Sequence, residues 1–144
     1  SILSMRELLK MRRWSERSQK ALNSLHPDLQ WLMNEVLHEV ADISLIQGYR
    51  GKEAQNEAYR TGRSKLQYPN GNHNKFPSMA VDSQPYPYPE AKEKLWAALA
   101  YVAGRAIEIG KQRGLQVRWG GDWNQNGDLT DQRFDDLFHL EIVE

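Results

Sequence analysis

The chain contains no cysteine. That excludes disulfide bonds, thiolate-bound metal and thiol catalysis, and it leaves a fold indifferent to the redox state of its compartment. No apolar run approaches the roughly 18 residues that a membrane span needs. A charge excess is missing too: 19 Lys and Arg balance 19 Asp and Glu. With no bulk attraction for a polyanion, nucleic acid is not an expected partner. Repeats, linkers and low-complexity tracts are absent. Residues 1 to 13 are basic in places, but they carry neither the apolar stretch nor the small-residue cleavage site of a signal peptide. A protein of this kind that works outside the cytoplasm needs another route out. What is present is 144 residues, 40% of them hydrophobic. That is enough for a single domain over residues 1–144 with a real core, read here as a monomer.

Turn and cap residues divide the chain. Ser15 is placed to cap a helix that runs to Leu25, and Pro27 opens a second one. Leu29, Leu32, Met33, Val36, Leu37 and Val40 recur at helical spacing, so one face of that helix is core. Ile43 to Arg50 reads as a strand ending at Gly48, followed by a short helix from Lys52 to Tyr59. Thr61 to Pro77 is a loop. Met79 to Asp82 is a short strand, stopped by the proline-rich segment that follows it. Glu90 to Gly114 is the longest helix, with Leu95, Leu99, Val102, Ala103, Ala106, Ile107 and Gly110 on its buried stripe and Gly114 as its cap. Leu115 to Trp119 is a strand. In the final strand, Phe138 to Val143, Phe138, Leu140 and Ile142 face one way while His139, Glu141 and Val143 face the other. Long helices with few short strands predict an α+β fold, a small antiparallel sheet packed with helices.

Histidine is scarce, with four in the chain, and two of them stand in chemically suggestive company. His73 precedes Asp82 in one segment, and Asp136-Leu-Phe-His139-Leu-Glu141 lies near the C-terminus. Two imidazoles and a carboxylate can ligate a metal, and a second carboxylate three residues before the last His can serve as base. A lone His on a strand is most often structural, and spacing by itself does not bring the three together. His38-Glu39 begins like a His-Glu-x-x-His motif, but position 42 is Asp, so the second histidine is missing. His26 and His38 read as capping or surface residues.

Taken in order, Gln47-Gly-Tyr-Arg50, Gln55, Gly62-Arg-Ser-Lys65, His73-Asn, Pro77-Ser-Met-Ala-Val-Asp82, Arg118-Trp-Gly-Gly-Asp-Trp123 and Asp136-x-x-His139-x-Glu141 are a specific set. On these residues the chain resembles the phage endolysin L-alanyl-D-glutamate peptidases, from about Leu22 onward. These are zinc enzymes of the D-Ala-D-Ala carboxypeptidase-like class, related in fold to the VanX-type dipeptidases and to Hedgehog. The resemblance implies that His73, Asp82 and His139 bind Zn2+ and that Asp136 is general base and acid. It implies that Arg50 binds substrate or stabilises the oxyanion, with Gln55 also on the substrate side. Many relatives have a shorter spacer before the Asp, which would put the first ligand at Lys75. A protonated ammonium cannot ligate zinc, so the extra residues read as a loop insertion and His73 is kept. Gly71 stands where relatives often carry a serine, so no side-chain contact behind the ligands is expected there.

The implied function is an endolysin that cuts the L-Ala–D-Glu bond of bacterial peptidoglycan, made in the host cytoplasm and acting on the wall after holin-type release. Two alternatives stand beside it: a D-Ala-D-Ala carboxypeptidase or dipeptidase on the same scaffold, and a wall-binding module with a decayed site. A second ion is also in view. Asp122, Asn124, Asn126, Gly127, Asp128 and Asp131 have the opening rhythm of a Ca2+ loop. The closing Glu of an EF-hand is missing, since Arg133 occupies that position, and an Asx-rich turn explains the same residues.

Overall fold

The computed structural model describes residues 2–9 and 11–144. A short helix α1 (Met5–Leu9) precedes α2 (Glu16–Asn23), which starts where Ser15 accepts the backbone N–H of Ser18. Helix α3 (Pro27–Glu39) is capped by the ring of His26, whose Nδ1 accepts the N–H of Asp28 at 3.1 Å. Pro27 fits the first turn because its missing N–H would have no helical partner there. Leu29, Leu32, Met33, Val36 and Leu37 are fully buried along one face of α3. Each such side chain contributes about 1.5–3 kcal/mol by burial.

Strand β1 (Ile43–Gln47), helix α4 (Lys52–Arg60) and a 3-10 turn (Asn72–Asn74) follow. Then come β2 (Ala80–Pro85), α5 (Lys92–Lys111), β3 (Gln116–Gly120) and β4 (Asp136–Val143). The strands form one antiparallel sheet in the order β1-β2-β4-β3. This is the expected α+β architecture. The core lies between the sheet and helices α3 and α5, where Leu45, Val81, Leu140 and Ile142 meet Val36, Val102 and Ala106.

Several element bounds differ by a few residues from those expected, and three differences bear on the site and the core. Strand β2 does not stop at Asp82 but runs to Pro85. Its ladder to β4 ends at Asp82, and Ser83 to Pro85 pair with β1 alone, so the proline interrupts no second ladder. Strand β4 begins at Asp136 rather than Phe138. In α5 the buried stripe takes Ile109, while Ile107 sits half-buried at its margin. The helix ends as expected near Gly114, whose φ of 72° is a left-handed conformation.

Register assigns the two sheet faces. Val81 opposes Leu140, and both turn to the core. Their neighbours therefore turn to the other face. There Asp82 opposes His139, Ala80 opposes Glu141, and Glu141 opposes Arg118 on β3. Asp82, Arg118, His139 and Glu141 thus share one surface, opposite the one that packs against the core.

Candidate active site

His139 and Asp82 reach the site from adjacent strands, and His73 reaches it from the 3-10 turn in the 61–77 loop. His73 Nε2 lies 3.2 Å from His139 Nδ1 and 3.3 Å from Asp82 Oδ1. His139 Nδ1 lies 3.4 Å from the same carboxylate oxygen. Among the described residues this is the group of His, Asp or Glu side chains whose donor atoms converge on one point. The metal-ligand set read from the sequence is therefore brought together, and His73 rather than Lys75 supplies its first member. Lys75 instead points its ammonium at Glu144, 3.3 Å away.

Hydrogen bonds on the far side of each ring decide which nitrogen faces the cluster. Nδ1 of His73 is 2.7 Å from the carbonyl oxygen of Gly48. A carbonyl only accepts, so that nitrogen carries the proton and Nε2 turns a lone pair inward. Nε2 of His139 is 2.6 Å from Oε1 of Glu141, so it donates there and Nδ1 turns its lone pair inward. Two nitrogen lone pairs and a carboxylate oxygen then face one another. Only a cation satisfies three acceptors so placed: a proton or a metal ion. The fit to a metal is thus a property of the donors.

The electrostatics of the metal-free cluster follow the same logic. Burial raises the pKa of Asp82, but the His73 charge and hydrogen bonds from both imidazoles outweigh it and hold the carboxyl well below its usual range. Burial alone would lower His139, yet hydrogen bonds to Asp82 and Glu141 raise it to about 9. Burial raises Glu141 as well, and its bonds to His139 and Arg118 bring it below the ordinary carboxylate value. Arg118 grips Glu141 through Nε at 3.0 Å and through a terminal nitrogen at 2.5 Å. A chain of contacts therefore runs from Arg118 through Glu141 to His139. Such a carboxylate behind a metal-binding imidazole sets its tautomer and orientation.

Asp136 opens β4 beside the cluster and lines the cleft. Burial and the neighbouring charge of Asp82 raise its pKa, against smaller lowering by His139, His73 and Arg50. Its backbone is pressed against Gly120: a Cβ there would sit 2.0 Å from the Asp136 carbonyl oxygen. Only glycine allows that approach, so Gly120 sets where the carboxylate enters the site.

Arg50 follows β1 and leans on the outer oxygen of Asp82, 3.4 Å away, while donating to Gln55 Oε1 at 3.1 Å. Gln55 is only 1% exposed. Its oxygen also accepts from Asn74, and its amide nitrogen donates to Ser64 Oγ and to the Leu66 carbonyl. Gln55 borders the cleft, and its hydrogen bonds to Arg50, Ser64, Leu66 and Asn74 hold Arg50 and the 64–66 loop in place.

The cleft is about 500 Å³ in volume. One wall is a ladder of rings that the sequence reading did not assign. Trp123 lies 5.3 Å from His139 and stacks on Phe134 at 6.5 Å between centroids. Arg118 was unassigned as well. Its signal was available: it is the one charged residue between the apolar side chains of Val117 and Trp119. Trp119 itself is buried core.

The 122–131 loop does not gather its carboxylates. Asp122 accepts the N–H groups of Asn126 and Gly127, Asn126 accepts that of Asp128, and Asp128 accepts that of Thr130. This is the Asx-rich turn. Asp131 stands across it and accepts from the amides of Asn124 and Asn126.

Residues 11–143 match the family described as phage L-alanyl-D-glutamate peptidase. This chain belongs to that family. Membership identifies it as a peptidase. The L-alanyl-D-glutamate peptidase of Escherichia phage T5 is 30% identical over 141 residues, covering 91% of this chain and 98% of the phage protein. The L-Ala D-Glu endopeptidase ChiX of Serratia marcescens, known from a crystal structure, is 24% identical and superposes with a TM-score of 0.68. The match covers 97% of this chain and 96% of that one. The shared fold extends over nearly the full length of both.

Proposed function

We propose that the chain is a zinc endopeptidase that hydrolyses the L-Ala–D-Glu bond of peptidoglycan stem peptides and acts as an endolysin in host-cell lysis. The observation that carries this reading is the convergence of His73, Asp82 and His139 beside Asp136. Nitrogen and carboxylate donors, three in number, are what a catalytic zinc takes while keeping a position open. Ligand bonds of about 2.0–2.1 Å at tetrahedral angles put neighbouring ligand atoms roughly 3.3–3.4 Å apart. The separations here are 3.2, 3.3 and 3.4 Å. The names of the phage T5 and Serratia proteins support the choice of bond.

His73, Asp82 and His139 would hold the zinc, which would supply Lewis acidity toward the scissile carbonyl and toward a water molecule. Asp136, at the edge of the cluster, would accept a proton from the attacking water and pass it to the departing amine. Burial and the Asp82 charge raise its pKa in the metal-free protein, which makes it a better proton acceptor than an exposed carboxylate. Arg50 turns its fork of donors to the negative charge that gathers on the carbonyl oxygen. Glu141 and the Gly48 carbonyl keep the imidazoles aimed, and Gln55 keeps Arg50 in place. Like other endolysins, the protein would be made in the host cytoplasm and reach the wall through holin-type release. No helix among the described residues is long and apolar enough to cross a membrane.

Mass spectrometry of muropeptides after digestion with zinc-loaded protein tests the reading. A new N-terminal D-Glu is expected, and chelator should abolish it. Release of D-alanine instead would replace the endopeptidase by a carboxypeptidase. An intact wall after digestion would favour a binding module, a reading against which the converged donors speak.

Calcium in the 122–131 loop is proposed on narrower ground. Each oxygen that accepts a backbone N–H retains a second lone pair. Gly127, with φ of 79°, makes the sharp turn that a calcium loop needs. A calorimetric titration of zinc-loaded protein should show calcium binding, and a flat titration at millimolar calcium would sink the idea.

A further inference from the structure

Four cationic side chains line the cleft, and two of them are already engaged. Arg118 is held by Glu141, and Arg50 by Asp82 and Gln55. The other two, Arg63 and Lys65, are exposed on the 61–66 loop. Neither has a carboxylate within ion-pair distance among the described residues. We propose that Arg63 and Lys65 form a subsite that binds a free carboxylate of the substrate, on the side of the cleft walled by Phe134 and Trp123. The proposal deepens the endopeptidase reading and rests on it.

The loop that carries the pair is anchored. Ser64 accepts from the buried Gln55 amide at 2.9 Å, and the Leu66 carbonyl accepts from the same nitrogen at 2.7 Å. The Ser64 N–H reaches the carbonyl of Ala58 at 3.1 Å, and Arg63 Nε donates to Thr61 Oγ1 at 2.9 Å. Gln55 therefore binds Arg50 with its oxygen and this loop with its nitrogen, so one buried amide aligns three cations along the cleft. Lys65 Nζ sits 5.2 Å over the ring of Phe134, the outer rung of the ladder that ends at His139. A cation held over an aromatic face keeps its charge available to a ligand in the cleft.

Substrate chemistry supplies the partner. A glutamate within a chain uses one carboxyl for its next amide and keeps the other free. Binding of that free carboxylate is a charge-assisted contact near the reacting bond. A neutral amide in its place would leave the two cations without a partner.

The test compares two stem peptides containing the L-Ala–D-Glu bond, one with the free glutamate carboxylate and one with it amidated. Zinc-loaded wild type is expected to cut the free acid about tenfold better in kcat/KM, the factor that one well-placed charge contact supplies. The difference should lie mainly in KM and should shrink with added salt. The double variant Arg63→Ala/Lys65→Ala should lower the free-acid value to that of the amide and leave the amide value unchanged. Lys65→Glu should reverse the preference, and Lys65→Arg should preserve it. Cleavage of both peptides by wild type at equal rates, or discrimination that survives in the double variant, overturns the subsite and leaves the endopeptidase standing. Failure of wild type to cut either peptide overturns the endopeptidase reading, and the subsite with it.

Discussion

Asp82 and His139 are partners across the β2–β4 pair, and that opposition brings the Asp82 carboxylate oxygen within 3.4 Å of His139 Nδ1. Adjacent strands hold the two side chains at a separation that no loop motion alters. The third donor, His73, is tied to the Gly48 carbonyl at 2.7 Å. The site is therefore built on sheet geometry at two positions and on one backbone contact at the third.

Replacing His73 by Ala should abolish both bound metal and cleavage. Elemental analysis of purified protein should give about one zinc per chain for wild type, from a three-ligand site, and a trace for the variant. Lys75→Ala should keep both, because its ammonium pairs with Glu144 at the surface. Retention of metal by His73→Ala would show that the loop places another residue in the site.

Asp136→Asn should keep fold and metal and lose roughly 10²- to 10⁴-fold in kcat, the usual worth of general acid–base help. Asn matches Asp in shape but accepts no proton. Near-normal turnover would move the proton transfer to another carboxyl.

Metal binding should release protons and weaken as pH falls. In the metal-free protein the pKa of His139 is raised to about 9, because the hydrogen bonds its ring donates to Asp82 and Glu141 outweigh burial. A metal ion needs the neutral ring. Below that pKa the proton must leave when the ion enters, and affinity therefore rises with pH until about 9. Zinc titrations at pH 7 in buffers of different ionisation enthalpy should report about one proton released per ion. A heat independent of buffer would contradict this.

Glu141→Gln should cost about 10- to 100-fold in metal affinity, as loss of a carboxylate behind a metal-bound imidazole commonly does. It should also leave Arg118 without its ionic partner. Competition with a chromophoric chelator measures the first effect, which a purely structural role would not produce.

Gly120→Ala should destabilise the fold by about 1–3 kcal/mol, the range for forcing an extra carbon into packed surroundings. The new Cβ would collide with the Asp136 carbonyl, so turnover should fall with it. Thermal melting and kcat together test this. A variant with wild-type values for both would mean that β4 shifts freely at its first residue.

Several elements were legible because their signals are local. Ser15 and His26-Pro27 announce helix starts, and the α3 stripe announces a buried face. Alternation along β4 separated His139 and Glu141 from Leu140 and Ile142. The extension of β2 past Asp82 was hidden because proline reads as a strand breaker. Only the register shows that Pro85 pairs on one side. Gln55 illustrates a different limit. A polar side chain near a cleft has the same sequence signature whether it faces ligand or is consumed by protein partners, and its four hydrogen-bonding neighbours come from residues 50, 64, 66 and 74.

The amino-acid sequence by itself determined the ligand types, the faces of the strands, the absence of thiol chemistry and the family to which the chain belongs. Each depends on residue identity or on short periodicity, which are local properties. The tertiary structure decided that His73 meets Asp82 and also His139, which stands 66 positions further along the chain. It also decided that Glu141 and Arg118 stand behind the imidazole, and that Arg63 and Lys65 share a wall with the Phe134–Trp123 ladder. Those relations depend on strand order β1-β2-β4-β3 and its register. A slip of one residue would turn Asp82 or His139 into the core. The sheet therefore fixes which side chains become neighbours, and that choice is made by the packing of the whole apolar face against α3 and α5.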